Sequence, residues 1–302
     1  MNKTKAGLKS FLLDVVRGAA IGVAFIIPGF SGGSIAAILG IYEKLIGAIA
    51  DIFKSFKKSI LTLLPIALGM VCGVLALLFP LNWALEAYPI PTVCIFVGLA
   101  LGGMPSITDK LGGKIKATNV IAFATPLTAA AALSFLPIAS DIDLFSLNLG
   151  GYLLLFIVGL VGSSALVIPG ISGSMILLIL GYYNPIVSMV TDNLLKGKNV
   201  GVSISVLATA GIGIAVGFVL ISVIMKKLLA TCPRGTYFAI LGFILGSIPT
   251  VFISTAKESG LAFSALMPNA FYWIVSAVLL LLGAAVSLSL VIISKRKLNQ
   301  DK

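Results

Sequence analysis

Apolar residues fill most of this chain in long blocks, set apart by short polar or basic segments. Six plain apolar runs stand out, at 59–80, 92–107, 118–139, 203–225, 236–255 and 271–294. Each is close to the roughly 20 residues that a helix needs to cross a bilayer, and a run that is apolar on every side has no face to offer to water. The pattern therefore predicts six membrane-spanning helices. Two longer stretches, 11–50 and 150–190, are also apolar but are interrupted by Pro28-Gly29 and Pro169-Gly170. A continuous helix through such a break would free backbone groups in lipid, at several kcal/mol each, and irregular backbone is tolerated there only where protein or a water-filled cavity surrounds it. Each stretch is therefore predicted to be a re-entrant hairpin. The first enters as a helix from Phe11, turns at Pro28-Gly29-Phe30 and leaves as a half-helix whose first turn is Ser31-Gly32-Gly33-Ser34. The second turns at Pro169-Gly170-Ile171 and starts again at Ser172-Gly173-Ser174.

The two interrupted stretches are copies of one another. Residues 27–46 (IPGFSGGSIAAILGIYEKLI) and 168–187 (IPGISGSMILLILGYYNPIV) agree at ten of twenty positions at an offset of 141. At an offset of 144, Gly69, Gly73, Gly98, Gly102 and Pro105 are matched by Gly213, Gly217, Gly242, Gly246 and Pro249. The chain divides into homologous units, 1–140 and 141–302. A hairpin that returns to its own side plus three spans makes an odd number of crossings, so the units are inverted relative to each other. The predicted fold is an all-α polytopic membrane protein of two inverted-topology repeats, each a re-entrant helical hairpin followed by three transmembrane helices. The Gly-x-x-x-Gly pairs are read as packing seams between helices.

Charge fixes the orientation. Of 302 residues only 10% are charged and 59% are hydrophobic, with a mean hydropathy of +1.15, against about 25% charged in soluble proteins. That balance excludes a water-soluble globule. Short cytoplasmic loops collect Lys and Arg; the segments assigned inside carry sixteen of the 21 (residues 3–9, 54–58, 110–116, 226–234 and 295–302), those assigned outside only Lys196, Lys198 and Lys257. Both termini are expected in the cytoplasm. Trp83, Tyr88 and Phe271-Tyr272-Trp273 fall at the outer interface, where amphipathic rings collect. The basic segments are short and explained by topology, so no nucleic-acid partner is expected. Lys3, Lys5 and Lys9 before an apolar run suggest a signal peptide, but Asp14 and Arg17 inside that run argue for mature protein. With no histidine, and with Cys72, Cys94 and Cys232 scattered, there is no spacing for zinc, haem or Ser-His-Asp chemistry, and no cofactor is predicted. The cysteines read as small buried hydrophobes.

What remains is the chemistry of the breaks. A half-helix beginning at mid-depth presents unpaired N–H donors, serine is a favoured N-cap, and glycine lets a ligand approach the backbone. Such paired helix starts suit an anion, although the same small residues would also serve close packing. Arg17 and Glu43, each about 15–20 Å from the first turn at 1.5 Å per residue, return to one level and form a candidate ion pair. Arg17 and Lys44 could equally snorkel to the interface. Arg234 in the 226–234 segment is a further candidate for drawing in an anionic headgroup.

The doubled I-P-G-[FI]-S-G motif followed by L-G-x-Y, with Arg17-Gly18 upstream, resembles the PopT-type polyprenyl-phosphate translocases along almost the whole chain. The resemblance implies a translocase in the bacterial plasma membrane, returning undecaprenyl phosphate, a carrier lipid of cell-wall precursors, from the outer to the inner leaflet. It implies a headgroup region of Arg17, Pro28, Gly29, Ser31, Gly32 and Gly33 in the first copy, with Ser34 completing the turn. Pro169, Gly170, Ser172, Gly173 and Ser174 are the counterparts in the second. Phe25 stands three before the proline, where the family often carries a polar or acidic residue, so no carboxylate for proton coupling is carried over there. Two other classes stay open. The undecaprenyl-diphosphate phosphatases share a similar-looking motif, but Gly32 and Gly173 replace its arginine and no Glu-x-x-x-Glu pair is present; a small-anion secondary transporter could use the same broken helices.

Overall fold

The computed structural model describes residues 3–26, 31–133, 135–136, 141–170, 173–260 and 263–300. No strand forms among them. The helices of the first unit are α1 (Lys3–Ile26), α2 (Gly32–Ile38), α3 (Tyr42–Ala50), α4 (Phe56–Ala87), α5 (Pro89–Gly103), α6 (Pro105–Thr108) and α7 (Ala117–Leu133). Those of the second are α8 (Leu149–Val167), α9 (Gly173–Ile179), α10 (Tyr183–Ser188), α11 (Val200–Thr231), α12 (Pro233–Ser259), α13 (Phe263–Leu266) and α14 (Ala270–Gln300), with a π-helical turn at Met189–Leu194 after α10. Five predicted spans lie on helices, and of the span 118–139 the part to Leu133 is helical, with residues 134 and 137–140 outside the described residues. Among the described residues five helical segments are long and apolar enough to cross a membrane, and the shorter Ala117–Leu133 and Leu149–Ser164 are also apolar. Leu61, Leu64, Leu68, Val71 and Leu75 on α4, and Ile274, Val278, Leu281 and Leu282 on α14, are exposed. Side chains of this kind have no favourable contact with water, and they form the lipid-facing surface of a multi-pass membrane protein.

Small residues set the helix pairs. A Cβ built on Gly69 would lie 2.0 Å from the Val15 carbonyl oxygen, and one on Gly73 2.4 Å from that of Ala19, so α1 and α4 touch backbone to backbone. Gly213 and Gly217 do the same against Phe156 and Leu160, joining α11 to α8. Gly98 and Gly102 bring α5 onto Leu280 and Ala284 of α14; Gly242 and Gly246 bring α12 onto Phe123 and Leu127 of α7. The four seams read from the sequence are thus four helix crossings, and α5 and α12 each pack mainly on a helix of the other unit. Equivalent junctions share their geometry as well. Tyr88 (φ −140°, ψ 61°) precedes Pro89 at the start of α5, and Cys232 (φ −136°, ψ 54°) precedes Pro233 at the start of α12; proline suits the first helical turn, whose N–H has no partner within the helix.

The molecule has two chemically distinct ends. At one, the starts of α5 and α14 meet the end of α12, and the rings of Trp83, Tyr88, Tyr272 and Phe271 form a chain with centroids 6.0–6.1 Å apart. At the other, Lys226 pairs with Asp51, Lys110 with Glu43, and Arg234 with the carbonyls of Gly113 and Lys114. The segments assigned inside that these contacts join therefore share one end, and the equivalent helices α5 and α12 run antiparallel.

Three expectations are corrected. The outgoing arm of each interrupted stretch is not one half-helix. Helices α2 and α9 are only seven residues long and stop at Gly40 (φ +68°) and Gly181 (φ +76°). In the first copy the Gly40 N–H donates to Ala37 O and the Ile41 N–H to Ala36 O, and in the second the Tyr182 N–H donates to Leu177 O. This is the glycine C-cap that satisfies a helix's last carbonyls; the repeated L-G-x-Y is a stop followed by a restart. Second, α1 begins at Lys3, ahead of Phe11. Third, Cys94 is buried but Cys72 and Cys232 are exposed, Cys72 lying on α4 and Cys232 at the α11–α12 junction.

Candidate functional site

The two Pro-Gly-x-Ser-Gly motifs meet. Ser31 is extended (φ −115°, ψ 127°) at the start of α2, and its hydroxyl donates to Ile168 O over 3.5 Å. Gly33 lies against Val167 O and Pro169. From the start of α3, the Tyr42 hydroxyl donates to Val167 O over 2.9 Å, deep in the protein. The last carbonyls of α8 are thereby satisfied by the other unit, as the end of a buried helix requires. Gly170 has φ +87°, and a Cβ there would stand 2.3 Å from the Phe243 carbonyl carbon of α12. Glycine is required twice over at that position, by conformation and by contact. Ser31, Gly32, Gly33 and Ser34 are all buried, as are Pro169 and Gly170. Phe243 lies about 15 Å along α12 from its start, so the junction sits between the two ends.

Of the residues singled out by the sequence, Ser31, Gly32, Gly33, Ser34, Pro169 and Gly170 surround this junction, and Gly173 opens α9. Pro28, Gly29 and Ser172 lie outside the described residues, and Ser174 is described only as part of α9. Arg17, Glu43 and Arg234 stand apart from it, at the basic end.

There the pairing differs from expectation. Arg17 Nη1 lies 3.4 Å from Asp14 Oδ1, one turn back along α1, and Lys44 Nζ bonds the other oxygen of Asp14. Asp14 itself is buried. Glu43 pairs instead with Lys110 Nζ at 3.5 Å and accepts a hydrogen bond from the Tyr237 hydroxyl. The predicted Arg17–Glu43 pair is not formed, because α3 is a separate helix whose direction is reset at Gly40. Arg234 donates through Nη2 to Gly113 O (2.9 Å) and Lys114 O (2.7 Å), with its guanidinium over the Phe238 ring. Outside the membrane, the Asp51 carboxyl is held below the usual carboxylate range, first by its hydrogen bond from Lys226, which desolvation opposes, and then by the charges of Lys226, Lys54 and Lys58.

Tyr42, Tyr237, Lys110 and Asp14 escaped the sequence reading as site residues. Tyr42 carried a signal, being one of the ten repeated positions; Asp14 stood out only as a carboxylate in an apolar run. Among the described residues no three His, Cys, Asp or Glu side chains are grouped closely enough to hold a metal ion.

Comparison with known proteins agrees with this organisation. The profile of a family described as undecaprenyl phosphate translocase-like matches residues 21–264. A protein named polyprenyl-phosphate transporter from Staphylococcus aureus is 31% identical over 282 residues, covering 92% of this chain and 95% of its own. A second of that name, from Vibrio cholerae, is 32% identical over 106 residues, 30% of this chain and 34% of its own. No solved structure matches the chain. A profile match across both motifs and most of the chain shows that this protein belongs to the undecaprenyl phosphate translocase-like family.

Proposed function

We propose that this protein moves polyprenyl phosphate from the outer to the inner leaflet, passing the phosphate through the junction while the prenyl tail stays in lipid. The observation that carries the reading is the junction itself: the two motifs are brought within hydrogen-bond distance, from Ser31 to Ile168, 137 residues apart. The names of the two relatives give the same substrate class.

The physics of the substrate sets what the protein has to supply. An isolated ionised group in hydrocarbon costs on the order of tens of kcal/mol, whereas an isoprenoid tail loses nothing by remaining there. Only the headgroup needs a polar path. With α2 and α9 each about two turns long, the helix dipole contributes little; the donors in this reading are individual groups, the N–H groups of Gly32, Gly33 and Gly173 and the hydroxyls of Ser31, Ser34, Ser172 and Ser174. The 3.5 Å bond from Ser31 to Ile168 O is at the weak limit of hydrogen-bond geometry. Exchanging it for a charge-assisted bond to a phosphate oxygen gains about 1 kcal/mol or more. Pro169 and Gly170 hold the second break open.

The two units, 1–140 and 141–302, are the proposed moving parts, arranged as inverted repeats whose interrupted stretches are re-entrant. The antiparallel run of α5 and α12, and the repeated pairings of α1 with α4 and α8 with α11, support this arrangement. The basic end is proposed to be cytoplasmic, with both termini there. Arg17, Lys44 and Arg234 at that end draw an anionic headgroup, each basic residue near a surface contributing about 1 kcal/mol. The reading treats the protein as a transporter and not an enzyme.

The test uses sealed liposomes containing the purified protein and undecaprenyl phosphate. The rate at which inner-leaflet phosphate becomes accessible outside is followed, together with inorganic phosphate release from the diphosphate form. Rapid exposure without phosphate release is expected, and Ser31→Ala with Ser172→Ala should slow it about tenfold or more, as two charge-assisted bonds are lost. Phosphate release would show an enzyme instead; competition by a soluble anion would show a small-anion transporter.

A further inference from the structure

A cavity of about 980 Å³ lies between α5, α12 and α14 at the aromatic end, away from the junction. It is at the upper end of the roughly 300–1,000 Å³ that takes a whole small molecule. Its wall is apolar, with Ile90, Phe252, Met267, Trp273 and Leu280 prominent, and Lys257 in the last turn of α12 is the one charged residue lining it. The wall has little to offer a polar ligand: the Ser276 hydroxyl is directed to Met267 Sδ at 3.8 Å, and Pro249 has no N–H. Pro249 is six residues beyond Phe243, so the cavity reaches to within about 9 Å along α12 of the junction.

The equivalent positions at the other end of the molecule are occupied differently. At the 144-residue offset, Arg234 corresponds to Ile90, Phe238 to Cys94 and Gly113 to Lys257. At the basic end Arg234 is bonded to Gly113 O and Lys114 O and lies over Phe238. At the aromatic end Ile90 lines the cavity and a lysine stands where the glycine would be.

We infer that this cavity is a second lipid site, holding the tail of a single-chain prenyl phosphate with Lys257 at its mouth facing the phosphate. The inference rests on the proposed function for the identity of the substrate. The lining selects the occupant: a glycerophospholipid brings two chains and ester groups that need donors, whereas a prenyl phosphate joins one apolar chain directly to its charge. Trp273, Tyr272 and Tyr88 mark the interfacial level at which headgroups sit, so a tail inserted from there points toward the middle of α12. The site would hold the lipid before its headgroup reaches the junction.

The test is photolabelling of the full-length protein in neutral-lipid nanodiscs by a prenyl phosphate with a diazirine on its terminal isoprene unit. Adducts are expected on peptides covering 249–280. Lys257→Gln should weaken labelling about fivefold, the worth of one basic residue near an anionic lipid, and Lys257→Arg should restore it. Because a cation in the last turn also suits the helix dipole, the variants are compared at matched thermal stability. Ala277→Trp, which fills the cavity, should abolish the adducts. Equal labelling by a diazirine phosphatidylglycerol would overturn the assignment of the occupant. Transport of undecaprenyl phosphate with adducts only near Ser31 and Gly173 would overturn the second site and leave the proposed function standing; absence of both transport and adducts would overturn the two together.

Discussion

The hydroxyl of Tyr42 is the tightest polar link between the two motifs, and removing it isolates what the junction does. Tyr42 is 2% exposed and donates over 2.9 Å to Val167 O, itself fully buried at the end of α8. Tyr42→Phe keeps the ring and its packing, so no cavity opens, and the change is confined to one oxygen. A typical net hydrogen bond is worth about 1 kcal/mol, and a buried carbonyl left unsatisfied costs about 1–3 kcal/mol. The joined arrangement should therefore lose about 1–3 kcal/mol, a factor of about five to over a hundred in its population relative to a separated one. The control lies in the sequence. Tyr183 occupies the same place in the second motif but is 38% exposed, so Tyr183→Phe should be nearly silent. Unfolding in detergent by denaturant and lipid exposure in sealed liposomes should be measured for both variants. If Tyr42→Phe matches the parent in stability and rate, or if the two variants behave alike, the claim that this bond couples the motifs is refuted.

Other consequences follow from single contacts. Gly170→Ala meets both a left-handed backbone and the Phe243 carbonyl at 2.3 Å; left-handed strain of about 1–2 kcal/mol and overpacking of about 1–3 kcal/mol should add, giving poor yield or a marked loss of thermal stability, while Gly47→Ala, with nothing within 4 Å, should be harmless. A double-mutant cycle between Asp14 and Lys44 should show coupling of about 0.5–2 kcal/mol, and one between Arg17 and Glu43 none beyond error; the reverse would restore the pairing expected from the sequence. Asp51 is lowered below its ordinary value by Lys226, so its contribution is complete above the unfolded carboxylate range and is lost only as pH falls through the still lower folded value. Carboxyl NMR of Asp51 should show that downward shift, and Lys226→Met should return it toward 3.8.

How much of this was legible in the sequence depends on which physical question each residue answers. The spans were legible because length and apolarity alone decide whether a helix can cross a bilayer, and the seams because a glycine repeated every fourth residue admits a neighbouring backbone. Gly40 and Gly181 were misread for a definable reason. Both are glycine stops, but apolar residues continue on either side, and the apolar run concealed the signal. That one error displaced Glu43, since the height of a residue along a helix predicts a partner only while the helix is straight. The ion pairs were beyond reach for another reason: Asp14, Glu43, Lys110 and Tyr237 come from different elements, and nothing local in the chain brings them together.

The duplication separates two kinds of information. Residues identical in both copies include Ser31, which precedes α2, and Gly40 and Gly181, which stop α2 and α9. Residues that differ sit where the halves must not be equivalent. Arg17 is answered by Val158, Glu43 by Asn184, Arg234 by Ile90 and Gly113 by Lys257. A duplicated structure with matched charges would offer an anion the same environment from either side. In the proposed reading the repeated residues form the path and the unrepeated ones make its ends unlike, with Arg17, Lys44, Lys110 and Arg234 at one and Lys257 beside an apolar cavity at the other. Exchanging Ile90 and Arg234 in one variant (Ile90→Arg with Arg234→Ile) should therefore close the cavity at the aromatic end, open one at the basic end and move prenyl-phosphate labelling with it. Labelling that stays on 249–280 in a folded double variant would show that the difference between the ends is set elsewhere.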